Sequence, residues 1–253
     1  MQTTQEDASA PFARTSGFTR YAPATYRTPD RVITSQVPLS HHFVDTGKAS
    51  ELVNSRPKRA FDVLAAMLGL LLLLPGLLAT AIAIKVTSPG PILFRQRRYG
   101  LNNNLFVVYK FRTMYIDKGD ETGTNQTCSS DERVTPIGKI LRRYSIDELP
   151  QLLNVVKGDM SLVGPRPHVP GMLAGGMPYE TLVPYYFERH RVRPGLTGLA
   201  QAQGLRGSTV DPERGAARIN EDLRYIQNWS FGLDLRIIFA TLWIEFYNWG
   251  NGT

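Results

Sequence analysis

The stretch at residues 63–84, VLAAMLGLLLLLPGLLATAIAI, decides the architecture because its 22 residues include no charged side chain. A helix rises about 1.5 Å per residue, so this run reaches about 33 Å when straight, which is enough to cross the hydrocarbon core of a bilayer. A soluble protein rarely tolerates an apolar run of this length. The sequence therefore predicts that this segment contacts a membrane.

Two features of this run bear on its position in a membrane. Pro75 and Gly76 lie near its middle, where proline removes a backbone donor and glycine adds flexibility, so a kink of some size is expected. Both flanks are basic, and basic flanks tend to stay in the cytoplasm. The flanking cations are Arg56, Lys58 and Arg59 before the run and Lys85, Arg95, Arg97 and Arg98 after it. A helix–break–helix segment that dips into one leaflet and returns satisfies both features. An ordinary kinked transmembrane helix is the alternative, and physical reasoning favours neither.

Composition limits the classes of partner. The 253 residues carry a formal net charge of +7, which suggests an anionic partner such as nucleic acid, lipid head groups or a phosphorylated substrate. No basic stripe with interleaved aromatic residues is visible, so a nucleic-acid-binding protein is not favoured. The single cysteine, Cys128, excludes a disulfide framework within the chain, and the histidines lack the spacing of a zinc site.

The chain divides into three segments. Residues 1–54 are rich in Thr, Ser, Pro, Ala and Arg without a sustained period, and they are predicted to be a disordered leader. Residues 55–90 contain the membrane segment, and residues 91–253 form a domain that folds with it as one unit. In this domain, residues 92–98 and 105–114 are predicted strands of a hairpin whose turn uses the asparagines at 102–104.

The remaining predicted elements are helical, so the fold class is α+β and mostly helical. The predicted helices cover residues 137–144, 148–156, 179–191, 213–228 and 233–247. The last of them bears Trp243, Phe246 and Tyr247. These aromatic residues suit either the membrane interface or packing into a soluble core.

Asp147 and Glu148 are adjacent carboxylates in the segment SIDELPQ at residues 145–151. Ser145 and Glu148 match a capping box, but this register places Pro150 where its missing donor costs a hydrogen bond. With Asp147 as the N-cap, Pro150 falls in the first turn and costs nothing. Carboxylates also attack phosphorus and bind Mg²⁺ beside phosphates. Composition alone favours the helix cap.

Three basic motifs are candidates for binding phosphate. Arg166 lies between two prolines, which present its planar guanidinium, and this group suits phosphate oxygens. Lys110 and Arg112 alternate on a predicted strand, so they share a face that either holds a diphosphate or is simply solvated. Residues 193–201, RPGLTGLAQ, form a glycine-rich loop that could approach a nucleotide closely, although alone it is only a turn.

In this order the motifs resemble those of the monotopic phosphoglycosyl transferases, also called bacterial sugar transferases. The resemblance covers roughly residues 56–247 and does not include the leader. It rests on KRAFD at 58–62, TSPGP at 87–91, YKFRTM at 109–114, LRRYSIDELPQ at 141–151, GPRP at 164–167 and RPGLTG at 193–198.

The resemblance implies an enzyme that moves a sugar-1-phosphate from a UDP-sugar to undecaprenyl phosphate. This is the first membrane step of exopolysaccharide, capsule or O-antigen synthesis. In the family the aspartate, here Asp147, attacks the β-phosphate, releases UMP and holds a phosphosugar until the polyprenyl phosphate attacks it. By similarity Glu148 supports the chemistry and Mg²⁺ binds at Asp147. The predicted phosphate- and substrate-binding residues are Lys110, Arg112, Arg142, Arg166, Arg193, Thr197 and Gln201.

The resemblance also implies a re-entrant membrane helix broken at Pro75 with both ends cytoplasmic. The catalytic domain, residues 91–253, then lies on the cytoplasmic face of the bacterial inner membrane, with amphipathic helices at the interface and membrane lipids as partners. One departure concerns Leu74, since family members often carry serine before this proline. The freed backbone therefore has one side-chain partner fewer.

A second interpretation is a membrane scaffold or regulator of a polysaccharide-assembly complex that has lost catalysis. Such a protein would keep the fold and lose the carboxylate pair, whereas Asp147 and Glu148 are both present. No nucleic-acid partner is predicted. The sequence leaves open which sugar is transferred and whether a homodimer forms.

Overall fold

The structure, a computed structural model, describes residues 25–28, 31–34, 46–117, 131–207 and 209–250. The chain separates into two compact units, Met1–His41 and His42–Thr253. In the first unit, the strands β1 (Thr25–Thr28) and β2 (Arg31–Thr34) form an antiparallel pair. The elements described below belong to the second unit.

Helices dominate the second unit, as the sequence predicts, and its strands are short. The α-helices are α1 (Gly47–Val53), α2 (Arg56–Thr87), α3 (Pro136–Arg143), α4 (Leu152–Lys157), α5 (Tyr179–Leu182), α6 (Leu199–Ala202), α7 (Pro212–Gln227) and α8 (Phe231–Gly250). The strands are β3 (Leu93–Tyr99), β4 (Leu105–Phe111), β5 (Ser161–Val163), β6 (Leu173–Ala174), β7 (Met177–Pro178) and β8 (Gly195–Thr197). Three further segments are 3-10 helices: Leu101–Asn103, Ile146–Gln151 and Tyr186–Arg191.

The segment predicted to be a disordered leader contains regular structure. β1, β2 and α1 all lie within residues 1–54, in a segment that the sequence predicts to be disordered. α1 has only seven residues and is stabilised by burial of Val53 in the hydrophobic core rather than by its own propensity, so the sequence gives little sign of it. Residues 46 and 54 of the predicted leader are also described. The rest of it, residues 1–24, 29–30 and 35–45, lies outside the described residues.

α2 runs without interruption from Arg56 to Thr87 and contains Pro75. Regular helical structure therefore continues through this proline, and a kink of the helix axis there stays a prediction. Proline removes one donor from the helix, whereas its neighbours are mostly leucine and alanine, which favour the helix strongly. The region Gly47–Thr87 is long and apolar enough, by length and composition, to cross a membrane.

Both ends of α2 pack against the same folded unit, while its middle does not. Near the start, Ala66 is fully buried against α4. Near the end, Ile84 is fully buried against β4 and α3. Between them, residues 71–76 are all exposed. α2 thus presents an exposed apolar middle between two ends that are held on one unit.

A buried ionic network fixes the start of α2. Lys58 is 1% exposed, and its Nζ lies 2.8 Å from Asp62 Oδ1 and 2.8 Å from Asp234 Oδ2 of α8. Asp62 also accepts a hydrogen bond from the Ser161 hydroxyl, and Asp234 accepts one from the Tyr225 hydroxyl, both at 2.8 Å. The network therefore joins α2, β5, α7 and α8 at one buried point.

β3 and β4 form the predicted hairpin and pair antiparallel along their whole length. The turn between them uses Asn102 and Asn103, whose φ angles are 53° and 63°. Asparagine tolerates this left-handed region better than most residues, which is why the run of asparagines predicts the turn. The hairpin is confirmed, and its second strand carries Lys110.

Asn154 ties α4 to this hairpin and is fully buried. Its Oδ1 accepts the Tyr109 N–H at 3.0 Å, and its Nδ2 donates to the Val107 carbonyl at 2.7 Å. Because Asn154→Ala leaves these groups without that partner, we expect the free energy of unfolding to fall by about 1–3 kcal/mol. Chemical unfolding in detergent measures the loss. A fall no larger than that caused by Leu153→Ala, at an exposed neighbour, would contradict this prediction.

β5 and β8 pair in parallel and bring two glycine-containing segments together. A Cβ at Gly195 would lie 2.1 Å from the Gly164 nitrogen, and a Cβ at Gly198 would lie 2.3 Å from the Gly164 carbonyl oxygen. Both distances are far below ordinary contact, so glycine is required for this approach. The glycines of the RPGLTG segment therefore serve backbone packing beside the loop that carries Arg166.

Two predicted helices differ from the observed ones. The helix predicted at residues 179–191 is split into α5 and the 3-10 helix Tyr186–Arg191, because Pro184 keeps the preceding residue extended. The helix predicted at residues 148–156 begins at Ile146 as a 3-10 helix and continues as α4. The other predicted helices correspond to α3, α7 and α8.

α8 has a buried face and an exposed face. With α5 and α7 it forms the main hydrophobic core, where its Ile237 is buried. On the opposite face, the side chains of Trp243, Phe246 and Tyr247 are between 53% and 75% exposed. Of the two alternatives for these aromatic residues, packing into the soluble core is therefore wrong, and α8 presents an exposed apolar face.

Candidate active site

The carboxylate pair lies between α3 and α4. Ser145 has a φ of 53°, in the left-handed region, and the 3-10 helix Ile146–Gln151 follows it. Asp147 and Glu148 lie in the first turn of this 3-10 helix. We call residues 145–151 the catalytic turn.

Asp147 does not cap a helix. The residue before the 3-10 helix is Ser145, and its side chain makes no capping hydrogen bond. The Glu148 N–H donates instead to the Ser145 carbonyl at 3.2 Å, and the Ser145 hydroxyl donates to Glu245 of α8 at 3.2 Å. Both capping alternatives for this segment are therefore wrong, which removes the structural explanation of Asp147.

Two cations hold Glu148. Its Oε1 lies 2.7 Å from Lys110 Nζ, and the Arg166 guanidinium donates to both carboxylate oxygens, at 2.5 and 3.0 Å. Burial opposes ionisation of Glu148, but Arg166 and Lys110 outweigh it and hold the pKa of this carboxyl well below its ordinary value. Glu148 therefore stays ionised at neutral pH and orients the two cations.

Asp147 is 8% exposed, and its carboxylate has no hydrogen-bond partner in the part of the chain that the structure describes. Burial raises the pKa of Asp147 to about 6, against the attraction of Lys110 and with a contribution from the negative charge of Glu148. Its oxygens are thus free either to attack an electrophile or to bind a cation, and a perturbed pKa of this kind is typical of functional sites.

Arg142 approaches the pair from the last turn of α3, where its Nε donates to the Thr113 hydroxyl at 2.7 Å. Its charge, like those of Lys110 and Arg166, lowers the pKa of Asp147. The structure thus gathers five predicted site residues into one cluster. They are Lys110, Arg142, Asp147, Glu148 and Arg166.

Two arginines outside the predicted set, the half-buried Arg98 and the buried Arg189, hold the loop that carries Arg166. Arg98 donates to the Pro167 carbonyl at 2.7 Å, and Arg189 donates to the Arg166 carbonyl at 2.5 Å. Arg189 is itself fixed by an ion pair with Asp222 at 2.7 Å. The carbonyls of two consecutive residues are therefore held in place, which fixes the backbone beneath the Arg166 side chain.

The sequence contained a signal for one of these arginines. In the hairpin register Arg98 lies opposite Phe106, which shares a strand face with Lys110, so a predicted register would have placed Arg98 beside the site. Burial lowers the pKa of Arg98 to about 10, with repulsion from Arg166 as the second cause. Arg189 reaches the loop from a distant 3-10 helix and belongs to no recognisable motif.

Two buried histidines pack beside the same loop. His168 Nδ1 lies 3.1 Å from the Tyr186 hydroxyl, and His190 Nδ1 lies 2.6 Å from Asn103 Oδ1. Burial, and after it the charge of Arg189, lowers the pKa of both rings, that of His190 to about 3. Both rings are therefore neutral in the folded protein at physiological pH.

These histidines predict a loss of stability in acid. Histidines in the unfolded chain bind protons near pH 6.5, so the stability they contribute is present above that pH and is lost as the pH falls toward their folded pKa values. We expect the melting temperature of the wild-type protein to fall more between pH 7 and pH 5 than that of His190→Gln. Melting curves in detergent at several pH values check this. Equal falls in the two proteins would contradict it.

Arg112 is not part of the cluster. It is buried, and it donates to the Ser88 carbonyl at 2.8 Å, to the Ser88 hydroxyl at 2.7 Å and to the Pro89 carbonyl. β4 ends at Phe111, so strand alternation no longer keeps Arg112 on the face of Lys110, and its contact with substrate stays a prediction. Arg112 instead fixes the turn after α2.

The predicted binding residues in the glycine-rich loop are also engaged elsewhere. Arg193 Nε donates to the carbonyl of Gly158, just after α4, at 3.0 Å. The Thr197 hydroxyl lies 2.6 Å from the Thr241 hydroxyl of α8. The buried side-chain oxygen of Gln201 has no partner among the described residues. The structure therefore gives structural contacts to Arg193 and Thr197, and contacts of this loop with substrate stay a prediction.

The cluster offers one carboxylate to a divalent cation. Both oxygens of Glu148 are bonded to cations, whereas those of Asp147 are not. Within the described residues, no group of three or more acidic, histidine or cysteine side chains could hold a metal by itself. Mg²⁺ is usually bound by one or two carboxylates together with substrate phosphates. Asp147 therefore fits an ion that is shared with a diphosphate.

Comparison with known proteins identifies a family for this chain. The family model described as bacterial sugar transferase matches residues 53–248. The exopolysaccharide production protein PSS of Rhizobium leguminosarum bv. phaseoli is 56% identical over 185 residues, which are 73% of this chain and 92% of that protein. A UDP-glucose:undecaprenyl-phosphate glucose-1-phosphate transferase of Caulobacter vibrioides is 48% identical over 216 residues, 81% of this chain and 79% of that protein.

A third relative differs in the sugar that its name states. It is a UDP-N-acetylgalactosamine-undecaprenyl-phosphate N-acetylgalactosaminephosphotransferase of Aeromonas hydrophila, 43% identical over 185 residues, which are 73% of this chain and 42% of that longer protein. The family match covers the long apolar helix, the carboxylate pair and the cations around it. The chain therefore belongs to the bacterial sugar transferase family and is a phosphoglycosyl transferase.

Proposed function

We propose that the protein transfers a sugar-1-phosphate from a UDP-sugar to undecaprenyl phosphate and releases UMP. The observation that carries the proposal is the contrast between two adjacent carboxylates. Glu148 is bonded to Lys110 and Arg166, whereas Asp147 is buried beside the same cations with its oxygens free of hydrogen bonds to the described residues. The site thus holds one carboxylate available for bonding to phosphorus among cations suited to a diphosphate.

The transfer consists of two displacements at one phosphorus atom. A carboxylate oxygen of Asp147 attacks the β-phosphorus of the UDP-sugar, the bond from that phosphorus to the bridging oxygen breaks, and UMP leaves with the electron pair. The phosphosugar is then held on Asp147 as an acyl phosphate. A phosphate oxygen of undecaprenyl phosphate attacks the same phosphorus, and the bond to Asp147 breaks. The products are the undecaprenyl diphosphate sugar and the free carboxylate.

Each cation has a role in this scheme, because phosphoryl transfer depends on positioning and on neutralising charge. The fork of Arg166 matches two phosphoryl oxygens, and Lys110 binds the same Glu148 Oε1 that Arg166 binds. Arg142 adds positive charge from the end of α3. Mg²⁺ held by Asp147 and the diphosphate would withdraw charge from the phosphoryl oxygens.

In this proposal α2 dips into one leaflet from the cytoplasmic face of the bacterial inner membrane. Both ends of α2 pack on the same unit, and its exposed apolar middle, residues 71–76, lies between them. A helix that crossed the bilayer would carry its far end away from this unit. The basic flanks fit the cytoplasmic side, and the exposed apolar face of α8 suits the membrane interface. A site at the interface is what a lipid acceptor requires.

UDP-glucose is the donor to test first, because the name of the Caulobacter relative specifies it. UDP-N-acetylgalactosamine is the second, after the Aeromonas relative. The product would enter exopolysaccharide synthesis, in line with the name of the Rhizobium relative.

The test is UMP release by the full chain in nanodiscs that contain undecaprenyl phosphate, with Mg²⁺ and a panel of UDP-sugars. We expect release with at least one donor and a radiolabelled sugar recovered in the lipid fraction. If a folded, lipid-embedded protein released no UMP with any donor, the catalytically inactive scaffold would be the better interpretation. A chelator should suppress UMP release, and added Mg²⁺ should restore it.

A further inference from the structure

α8 reaches the catalytic turn as well as the core. Three residues along its inner face form polar contacts with other elements. They are Asp234, Thr241 and Glu245. The first two bind the start of α2 and the strand β8. The third, Glu245, accepts a hydrogen bond from the Ser145 hydroxyl at 3.2 Å. α8 is thus anchored along its length before it meets the catalytic turn.

Ser145 is the residue at which the chain passes from α3 into the catalytic turn. Its φ is 53° and its ψ is 19°, and residues other than glycine keep this left-handed conformation only when their surroundings hold them in it. Its carbonyl accepts the Glu148 N–H at 3.2 Å, so its conformation sets the first backbone bond of the turn. Asp147 lies in the chain between these two hydrogen-bonded residues.

Glu245 has a fixed direction because a second group binds it. The Arg206 guanidinium forms an ion pair with the same Oε1 that accepts from Ser145. Arg206 is held in turn by a hydrogen bond from its Nε to the Gln201 carbonyl at 3.1 Å. The carboxylate is therefore presented to Ser145 by an arginine that is itself anchored to the backbone.

We propose that Glu245 is a positioning residue for Asp147. By accepting the hydrogen bond from Ser145, it holds the left-handed residue that aims the Asp147 carboxylate at the phosphorus of the donor. Glu245 acts through Ser145 and does not touch the reacting atoms. This inference rests on the proposed function, since Asp147 is the nucleophile only in that scheme.

The kinetic test compares two substitutions of Glu245. Glu245→Ala is expected to lower kcat about 10- to 100-fold, with the KM for the UDP-sugar nearly unchanged, because a small misplacement of the attacking group is costly. Glu245→Gln should keep most of kcat, because its amide oxygen still accepts from Ser145. Both variants remove the ion pair with Arg206, so a role through that pair alone would make them equal and overturn the proposal.

A double-mutant cycle tests whether the effect passes through Ser145. Ser145→Ala should lower kcat as Glu245→Ala does, and the double variant should be no slower than either single one, because both break the same hydrogen bond. Additive losses would overturn the proposal. Glu213→Ala, at an exposed glutamate in the first turn of α7, is the matched control and should leave kcat unchanged.

Hydrogen–deuterium exchange in nanodiscs gives a readout that does not require activity. Glu245→Ala should speed exchange in residues 145–151 and leave the hairpin of β3 and β4 unchanged. Exchange equal to that of the wild type would overturn the inference. If the exchange responded as expected while the wild-type protein released no UMP, the support of the catalytic turn by Glu245 would stand and the proposed function would fall.

Discussion

UMP release is expected to fall by at least about a thousandfold when Asp147 is replaced with asparagine, because the amide cannot form the acyl phosphate. Asparagine has nearly the same shape as aspartate, so the loss would report on chemistry rather than on packing. The measurement is the initial rate of UMP release with a saturating donor. Mass spectrometry of the wild-type protein, quenched in acid without the lipid acceptor, should show the mass of a phosphosugar that Asp147→Asn lacks.

The matched control is Asp211→Asn, which makes the same change at an exposed position. Asp211 caps α7 by accepting the Glu213 N–H at 2.9 Å, and asparagine caps helices equally well. Its rate should equal that of the wild type. Asp147→Asn should also melt no lower than the wild type, since it removes a buried charge and no hydrogen bond to the described residues. Near-normal UMP release by a folded Asp147→Asn protein would refute a nucleophilic Asp147.

The free energy of unfolding is expected to fall by about 3–5 kcal/mol in Lys58→Met, because the substitution leaves two buried carboxylates without their cation. Lys58 is 1% exposed and lies 2.8 Å from both Asp62 and Asp234, which are themselves 2% and 0% exposed. Methionine fills similar volume, so the loss would come from the unpaired charges. Chemical unfolding in detergent, followed by tryptophan fluorescence, measures it.

The control for this variant lies at the other end of the same helix. Lys85 is exposed and donates to the Gly90 carbonyl at 3.3 Å, so Lys85→Met should change stability little. Adding Asp62→Asn and Asp234→Asn to Lys58→Met should recover part of the loss by removing the unpaired charges. A Lys58→Met protein as stable as Lys85→Met would show that the network contributes nothing.

Much of the fold could be predicted because it depends on local sequence patterns. The apolar run at residues 63–84, the hairpin with its asparagine turn and the helices α3, α7 and α8 all follow from composition and period. α1 could not be predicted in this way, because burial of one face of a short helix depends on residues far along the chain. Helical structure continues through Pro75, where the helix propensity of the neighbouring residues outweighs the missing donor.

The candidate site also has one set of residues that the sequence predicts and another set that it does not. Asp147, Glu148, Lys110, Arg142 and Arg166 belong to local motifs, and the structure brings them together. Most of the supporting residues are held by tertiary contacts that no spacing reveals, whereas the hairpin register points to Arg98. The loop supports are Arg98, Arg189 and Asp222, and the support of the catalytic turn is Glu245. Arg112 matched the pattern yet lies just past the end of its strand, where alternation ceases to apply.

The packing of both ends of α2 on one unit has a consequence for the bilayer that surrounds the protein. A spanning helix must match the hydrocarbon thickness, and it tilts, kinks or deforms the lipid when it does not. A segment that enters and leaves by the same face, as proposed for α2, has its depth set by the chain between its two anchored ends, residues 66 and 84. Its energy is then insensitive to hydrophobic mismatch, so the same chain would suit thin and thick membranes alike.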